Sequence, residues 1–317
     1  MTVKKISIVI PTYNEEANVE PLSDAIIEQM GKLDGYDYEI IFIDNDSQDN
    51  TRPLLRKLCA SNPRIKAIFN ARNYGQFSSP FYGVQQMTGD CAILMCADFQ
   101  DPVELIPQYV KEWEDGYKIV LCQKTSSKES KIVYHLREFY YNFMRKHSEI
   151  NFLKQVTGSG LYDRSFVEVM KRIDDPRPFL RGIVAEMGFG IKLIPFEQPP
   201  RRAGKSSNNF MRYLDGAAQS LTAYTKIGCR LALFGGFTAS VLCGVALLGL
   251  IIYKAFNWGT FVLWDYLLPW TILTLISLNM FFIGVVGEYV MDANQRTRKR
   301  PLVVELERIN FDDDSSR

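Results

Sequence analysis

The sequence predicts an α/β chain: a Rossmann-like cytoplasmic domain with a mostly parallel sheet, followed by two transmembrane helices. Three observations predict it. Short apolar runs, Ile6 to Ile10, Glu39 to Ile43, Ile65 to Phe69 and Cys91 to Met95, alternate with stretches of helical spacing, as in βαβ units whose strands are buried on both faces. Each run ends in polar residues. Finally, the stretches from about Leu231 to Phe256 and from about Leu267 to Val290 are almost free of charge until Lys254 and Glu288. Each is long enough to cross roughly 30 Å of hydrocarbon at about 1.5 Å per residue.

The first run ends at Pro11 and the second at Asp44. Between them Val19, Leu22, Ile26, Ile27 and Met30 recur at helical spacing within Glu16 to Leu33, so a right-handed βαβ unit is expected. A helix from about Asp49 to Ser61 leads to the third run. Ala71 to Gln76 then opens another helix before the fourth. In an open α/β sheet ligands bind outside the carboxyl ends of the strands, so Tyr13, Glu15, Asp44, Arg72, Asp98 and Gln100 together describe a polar cleft able to hold a nucleotide and a metal. After the fourth run, Asp101 is expected to cap a helix with Pro102 at its first position and Glu104 in its first turn. Capping gives Asp98 and Gln100 no structural role.

Other classes fall away. No GxGxxG follows the first strand, and Gly204-Lys205-Ser206 looks like the tail of a P-loop whose upstream glycine position is Pro199. The chain has 317 residues, 47% hydrophobic and 23% charged, enough for a full core, and its net charge of +1 gives no nucleic-acid footprint. The cysteines Cys59, Cys91, Cys96, Cys122, Cys229 and Cys243 show no zinc spacing and read as reduced, mostly buried thiols.

Basic residues set the expected orientation of the spans. Lys226 and Arg230 precede the first, Arg296, Arg298, Lys299 and Arg300 follow the second, and the loop Asn257 to Tyr266 has no Lys or Arg. Both ends are therefore expected in the cytoplasm, with Trp258, Trp264, Tyr266 and Trp270 as an aromatic belt on the far side. Nothing resembling a signal peptide is expected before the first strand. Residues 133–147 mix aromatics and bases at helical spacing, as a core helix or one lying at the membrane surface would, and His135 and His147 are too isolated to suggest zinc. Asn208 to Lys226 is a second amphipathic segment, and the chain after Pro301 is expected to be polar and frayed.

Taken in order, PTYNEE at 11–16, IDNDS at 43–47, RNYGQ at 72–76, ADFQDP at 97–102 and RRAGKSSN at 201–208, followed by two spans, resemble family 2 glycosyltransferases acting on polyprenyl phosphates. That group includes dolichol-phosphate mannose synthases and bacterial bactoprenol glucosyltransferases. The resemblance implies a GT-A domain over 1–207, a juxtamembrane segment over 208–230, spans at 231–256 and 267–290, and a cytoplasmic tail over 291–317. It implies that Pro11, Tyr13, Glu15, Asp44 and Ala97 surround the nucleotide, and that Asp98 and Gln100 hold Mg²⁺ or Mn²⁺ on its diphosphate. Asp98, Asp101 and Arg202 would be the catalytic set. The implied partners are a nucleotide sugar, UDP-glucose by preference, undecaprenyl phosphate, and the bacterial inner membrane, with no nucleic acid; a homo-oligomer, a tetramer, is implied by the same resemblance.

The chain departs from the family pattern at two places. Cys96 stands where many members have the first Asp of DxD, and a thiol is a poor ligand for a hard cation. Thr157-Gly158-Ser159-Gly160-Leu161 stands where GDFRL is frequent, with Gly158 and Gly160 replacing Asp and Arg. A base is dispensable, because a phosphate monoester with a second pKa near about 6 is already largely dianionic at neutral pH. The missing arginine must be replaced, and Arg137, Arg164, Arg181 and Lys205 are the candidates for the acceptor phosphate. A processive polysaccharide synthase is disfavoured because no Arg-Trp pair is present; an inactive membrane scaffold or a lipid-linked sugar flippase is the alternative class.

Overall fold

The computed structural model describes residues 3–126, 153, 155–176, 178–199, 262–297 and 300–311, with scattered positions between 234 and 256. It divides into two compact units, one holding residues 1–142, 150–209 and 298–317, the other residues 143–149 and 210–297.

In the first unit the elements follow in the order β1 (Lys4–Thr12), α1 (Val19–Met30), β2 (Tyr36–Asp44), α2 (Thr51–Ser61), β3 (Ile65–Asn70), α3 (Gly75–Gln85), β4 (Cys91–Leu94), α4 (Ile106–Glu114), β5 (Ile119–Ser126), β6 (Val156–Asp163), α5 (Arg164–Lys171), α6 (Leu180–Glu186) and β7 (Ile191–Glu197). After the second unit's helix α7 (Val262–Thr297) comes β8 (Glu305–Ile309). Among the described residues the strands form one sheet in the order β7-β5-β6-β4-β1-β2-β3-β8. Neighbours β4-β1-β2-β3 run parallel, as do β5 and β7, while β6 is antiparallel to both its neighbours and β8 is antiparallel to β3.

Strands buried on both faces explain the unbroken apolar runs. Ile6, Ile8, Ile10, Ile40, Phe42, Ile65, Ala67 and Phe69 pack on one side with Val19, Leu22 and Ile26 of α1, Leu55 of α2, and Tyr109 and Trp113 of α4. The alternate residues Val9, Ile41, Ile43 and Ile68 face Phe81 and Val84 of α3, Phe166 and Met170 of α5, and Ile183 of α6. The sheet is therefore sandwiched between two helical layers. The four expected strands are all present; α1 starts at Val19, the first residue of its apolar spacing and not at Glu16, because the Glu15 carbonyl closes a turn on the Asn18 and Val19 N–H groups.

One charge is buried at the amino ends of these strands. Glu39 of β2 is 1% exposed and accepts from Lys66 Nζ at 2.8 Å, Lys5 Nζ at 3.0 Å, the Thr88 N–H at 2.8 Å and the Ser7 hydroxyl. It ties β1, β2, β3 and the turn before β4 together.

The chain after Pro301 departs from expectation. Rather than fraying, it forms β8 against β3 from Glu305 to Ile309. Its charges disguised it: Glu305 takes the Tyr82 hydroxyl at 2.8 Å and Glu307 pairs with Arg56 at 2.6 Å, so residues that read as solvated are anchors of an edge strand.

In the second unit α7 already begins at Val262, so part of the expected loop Asn257 to Tyr266 is helical, and the helix runs through Pro269. Thr274–Met291 within it is the one stretch among the described residues long and apolar enough to cross a membrane. Ile272, Ile276, Met280, Phe281, Ile283 and Val290 are exposed along it. The first expected span lies mostly outside the described residues; its described positions, Phe234, Val241, Leu248 and Phe256 among them, are helical and exposed, and Gly235 lies against the Phe282 ring.

Burial acts to raise the Glu39 pKa, but hydrogen bonds from Lys66, Ser7 and the Thr88 N–H outweigh it and hold the carboxyl down to about 2. A depressed folded pKa gives stability that is complete above the unfolded value near about 4.3 and is lost as pH falls towards about 2. Glu39→Gln should cost about 3–5 kcal/mol at pH 7, since Lys66 is left buried without its partner. Urea unfolding by circular dichroism should show the gap between variant and wild type narrowing between those two pH values.

Candidate active site

The ends of β1 and β2 are laced together. Asn14, held at φ 56°, donates its N–H to Ser47 Oγ (2.9 Å) and accepts the Gln48 N–H at Oδ1 (2.8 Å). The Glu15 N–H donates to Thr51 Oγ1 (2.9 Å), and Glu16 Oε2 accepts the Asn50 N–H (3.0 Å). Polar side chains near the backbone supply these contacts between the two turns, which gives Asn14, Glu16 and Ser47 a structural role within the two motifs. The lacing leaves Tyr13 38% exposed, Pro11 and Glu15 half-buried, and Asp44 wholly buried.

Asp44 Oδ1 accepts Arg52 Nε and the Ser47 N–H, the latter at 3.2 Å. Its Oδ2 is buried with no hydrogen-bond partner among the described residues. Arg52 also donates to the Asn70 carbonyl at 2.7 Å, linking the ends of β2 and β3. The Asn70 amide donates to Asn45 Oδ1 and Ser79 Oγ, both at 3.2 Å, and Asn45 Oδ1 also accepts the Tyr74 N–H at 2.8 Å. Arg52 and Asn70 escaped the sequence reading, Arg52 because it looks like the solvent face of α2, and Asn45 entered it only as part of the IDNDS motif. An arginine eight residues beyond a strand-terminal Asp, within a helix's first turn, was the available signal.

At β4, Asp98 is 4% exposed and its Oδ1 accepts the Gln100 N–H at 3.1 Å around Phe99, whose φ is 58°. Ala97 is buried in the core on the α1 and α4 side. Asp101 does not cap a helix. Pro102 is extended at ψ 123°, a 3₁₀ turn over Val103–Leu105 intervenes before α4, and the Asp101 carboxylate turns back to accept the Cys96 N–H at 2.8 Å and the Ser159 hydroxyl at 2.7 Å. Cys96 is exposed, with Sγ 4.0 Å from Ser159 Oγ.

Ser159 belongs to β6, whose register sets Gly160 opposite Leu94, so residues 156–159 run beside the carboxyl end of β4. Gly160 has φ 145°, and a Cβ there would lie 2.1 Å from the Val120 carbonyl oxygen. No arginine fits at this position. Gly158, at φ 90°, has room for a Cβ, and the nearest atom is Arg181 Cγ at 3.5 Å. The Arg181 side chain reaches from α6 over the strand and donates to the Val156 carbonyl at 3.2 Å, with its guanidinium 5.0 Å from the Phe179 ring.

The cation candidates thus separate. Arg181 lies at the carboxyl end of β4. Arg164 lies at the opposite edge of the sheet, where it donates to the Thr88 and Gly89 carbonyls that precede β4, Gly89 at 2.5 Å, which corrects its assignment to the acceptor phosphate. Arg137, Arg202 and Lys205 lie outside the described residues.

The described residues include no group of three His, Cys, Asp or Glu side chains placed to share a metal. With Cys96 unsuitable and Asp101 engaged, Asp98 and Gln100 fit only a hard cation that takes most of its oxygens from ligand and water, as Mg²⁺ and Mn²⁺ do.

Parallel strands with acids at their carboxyl ends make a GT-A-like α/β domain, and comparison with known sequences gives its family. The family model described as glycosyl transferase family 2 matches residues 7–167, just over half of the chain, and the chain belongs to that family. It is 28% identical over 300 residues to the prophage bactoprenol glucosyl transferase homolog of Escherichia coli K12, covering 94% of this chain and 97% of that one. It is 27% identical over 310 residues to the bactoprenol glucosyl transferase of Shigella phage SfX, again covering 94% and 97%. Among solved structures, glucosyl-3-phosphoglycerate synthase from Mycobacterium tuberculosis, in complex with Mn²⁺, UDP-glucose and phosphoglyceric acid, aligns over 69% of this chain and 78% of that one at TM-score 0.46 and 18% identity, too loosely to place any residue by analogy.

The two glycines should respond differently. Gly160→Ala should lower thermal stability by about 1–3 kcal/mol or more, because strain at positive φ adds to overlap with β5. Gly158→Ala bears only the strain. Differential scanning fluorimetry of the two variants should rank Gly160→Ala clearly below Gly158→Ala.

Proposed function

We propose that this glycosyltransferase moves one sugar, glucose from UDP-glucose, onto undecaprenyl phosphate at the cytoplasmic face of a bacterial membrane, anchored by spans at 231–256 and 267–290. The observation that carries this reading is that Asp44 and Asp98 both stand at the carboxyl ends of parallel strands, with Arg181 lying over β6 where it runs beyond the end of β4. The two bactoprenol-named relatives, similar across most of the chain, support the lipid acceptor. The exposed apolar length of α7, and the contact of Gly235 with Phe282, support a pair of membrane helices.

The donor's base would meet Tyr13 and Asp44. An unpartnered buried acceptor costs about 1–3 kcal/mol, which a ligand N–H reaching Asp44 Oδ2 would relieve. Asp98 and Gln100 would hold Mg²⁺ or Mn²⁺, which when bound neutralises charge on the departing diphosphate. The acceptor phosphate is held by Arg181, one oxygen attacks the anomeric carbon as the bond to the nucleoside diphosphate breaks on the opposite face, and the configuration inverts. Its dianion needs no proton removed, which agrees with glycine at 158.

Asp98→Asn, nearly isosteric at a strand end, should lower turnover by about a hundredfold or more, as loss of one well-placed electrostatic group does. Cys96→Asp should leave metal dependence equal or tighter. Glucosyl transfer to undecaprenyl phosphate, titrated with Mn²⁺ and Mg²⁺ and followed by mass spectrometry of the lipid, measures both. Transfer that persists in EDTA and in Asp98→Asn would exclude the metal-assisted step, and no transfer by wild type across a panel of UDP-sugars would favour an inactive scaffold.

Arg181→Ala should raise KM for the lipid phosphate about ten- to a hundredfold, the worth of a charge-assisted phosphate contact, with little change in donor KM. Arg164→Ala should leave both constants unchanged. Equal lipid kinetics in wild type and Arg181→Ala would move the acceptor phosphate to Arg137, Arg202 or Lys205.

A further inference from the structure

The strand after α7 pairs with β3, whose carboxyl end feeds the polar network around Asp44. β3 and β8 pair antiparallel with an irregularity between Phe69 and Asn70, and beyond it the Ala71 N–H donates to the Val304 carbonyl at 2.9 Å. From the same two residues the polar network spreads inward. The Asn70 carbonyl accepts Arg52, which holds Asp44, and the Asn70 side chain donates to Asn45, whose Oδ1 fixes the Tyr74 N–H. Without β8, β3 would become an open edge, and the N–H that turns the chain towards residues 72–75 would lose its acceptor.

The strand is anchored heavily for its length. Asn310 Nδ2 donates to the Cys59 and Ile65 carbonyls at 2.7 and 2.8 Å. Arg56 donates twice to Glu307, Arg308 donates to Gln86 at 2.9 Å, Tyr82 donates to Glu305, and Val303 is buried. These contacts reach α2, β3 and α3, the three elements whose ends carry Arg52, Asn70 and residues 73–75. Exposed side chains on the outer face, Val304 and Leu306, make no part of this set.

We propose that residues 303–310 are a positioning element for the donor nucleotide: docking of β8 sets Asn70 and Ala71, these set Arg52 and Asn45, and those two hold Asp44 and Tyr74 where a nucleoside diphosphate binds. The inference rests on the donor reading above. β8 touches no reacting group, so its effect falls on nucleotide affinity and not on the lipid phosphate. Because coupling free energies are reciprocal, nucleotide binding must in turn tighten β8 onto β3.

The test uses the full chain and UDP as probe. Hydrogen exchange read by mass spectrometry should show amides of residues 304–309 and Ala71 exchanging about fivefold or more slowly when UDP is bound, the lower range of typical coupling. Asn310→Ala should raise the UDP dissociation constant and donor KM by about fivefold or more, with lipid KM unchanged. Glu39→Gln serves as the comparison: it destabilises the amino ends of β1, β2 and β3, away from the polar network at their carboxyl ends, and should leave donor KM where it is. Unchanged exchange with UDP, or equal donor effects from Asn310→Ala and Glu39→Gln, would overturn the inference while leaving the donor reading intact. Failure of wild type to bind UDP at all would overturn both.

Discussion

Asp101 is 2% exposed, and the oxygen that takes the Cys96 N–H also takes the Ser159 hydroxyl, so the turn after β4 is completed by a strand some sixty residues further along the chain. Ser159 can reach it only because β6 runs antiparallel between β4 and β5. That insertion depends in turn on Gly160, where any side chain would overlap the β5 backbone. A hydroxyl-to-carboxylate bond in a buried setting is short and strong, and losing one partner leaves the other unsatisfied. Asp98 and Gln100 therefore inherit their position from a contact that neither of them makes. The same packing explains why glycine occupies 160 in place of the family's arginine, and why a cation arriving from α6 crosses the strand at Gly158.

What could be read from the sequence follows the range over which each signal acts. Strands β1 to β4 are buried on both faces, and α1 repeats its apolar residues every three or four positions, so both show in local composition. The polar ends of the strands were legible for the same reason. Asp101 was misread because a short-range preference, Asp-Pro before a helix, competes with a partner at Ser159 that no local pattern reveals. Arg164 was misassigned because charge carries no information about which end of a strand it occupies; only the antiparallel register of β6 sends it to the amino edge. β8 stayed hidden because Glu305 and Glu307 look solvated until Tyr82 and Arg56 are brought to them across more than two hundred residues.

The two buried acids of β2 are satisfied to different degrees. Glu39, at the amino end, is surrounded by Lys66, Lys5, Ser7 and Thr88, and its charge is so well met that its pKa falls despite burial. Asp44, at the carboxyl end of the same strand, has a guanidinium on one oxygen and nothing described on the other. If burial of charge served only to fix strand register, both ends would be expected to reach the same degree of satisfaction, because an unmet acceptor at either end costs the same desolvation. The difference lies where the parallel strands β4, β1, β2 and β3 present their carboxyl ends, and there the sheet forgoes a partner that its other end supplies. On the proposed donor reading, a ligand N–H at this point would offset that desolvation, so part of its binding energy would come from the way β2 ends. Arg52 sets that arrangement: it meets the charge of Asp44 without covering Oδ2, and its second contact, to the Asn70 carbonyl, ties the position of Asp44 to how β3 ends.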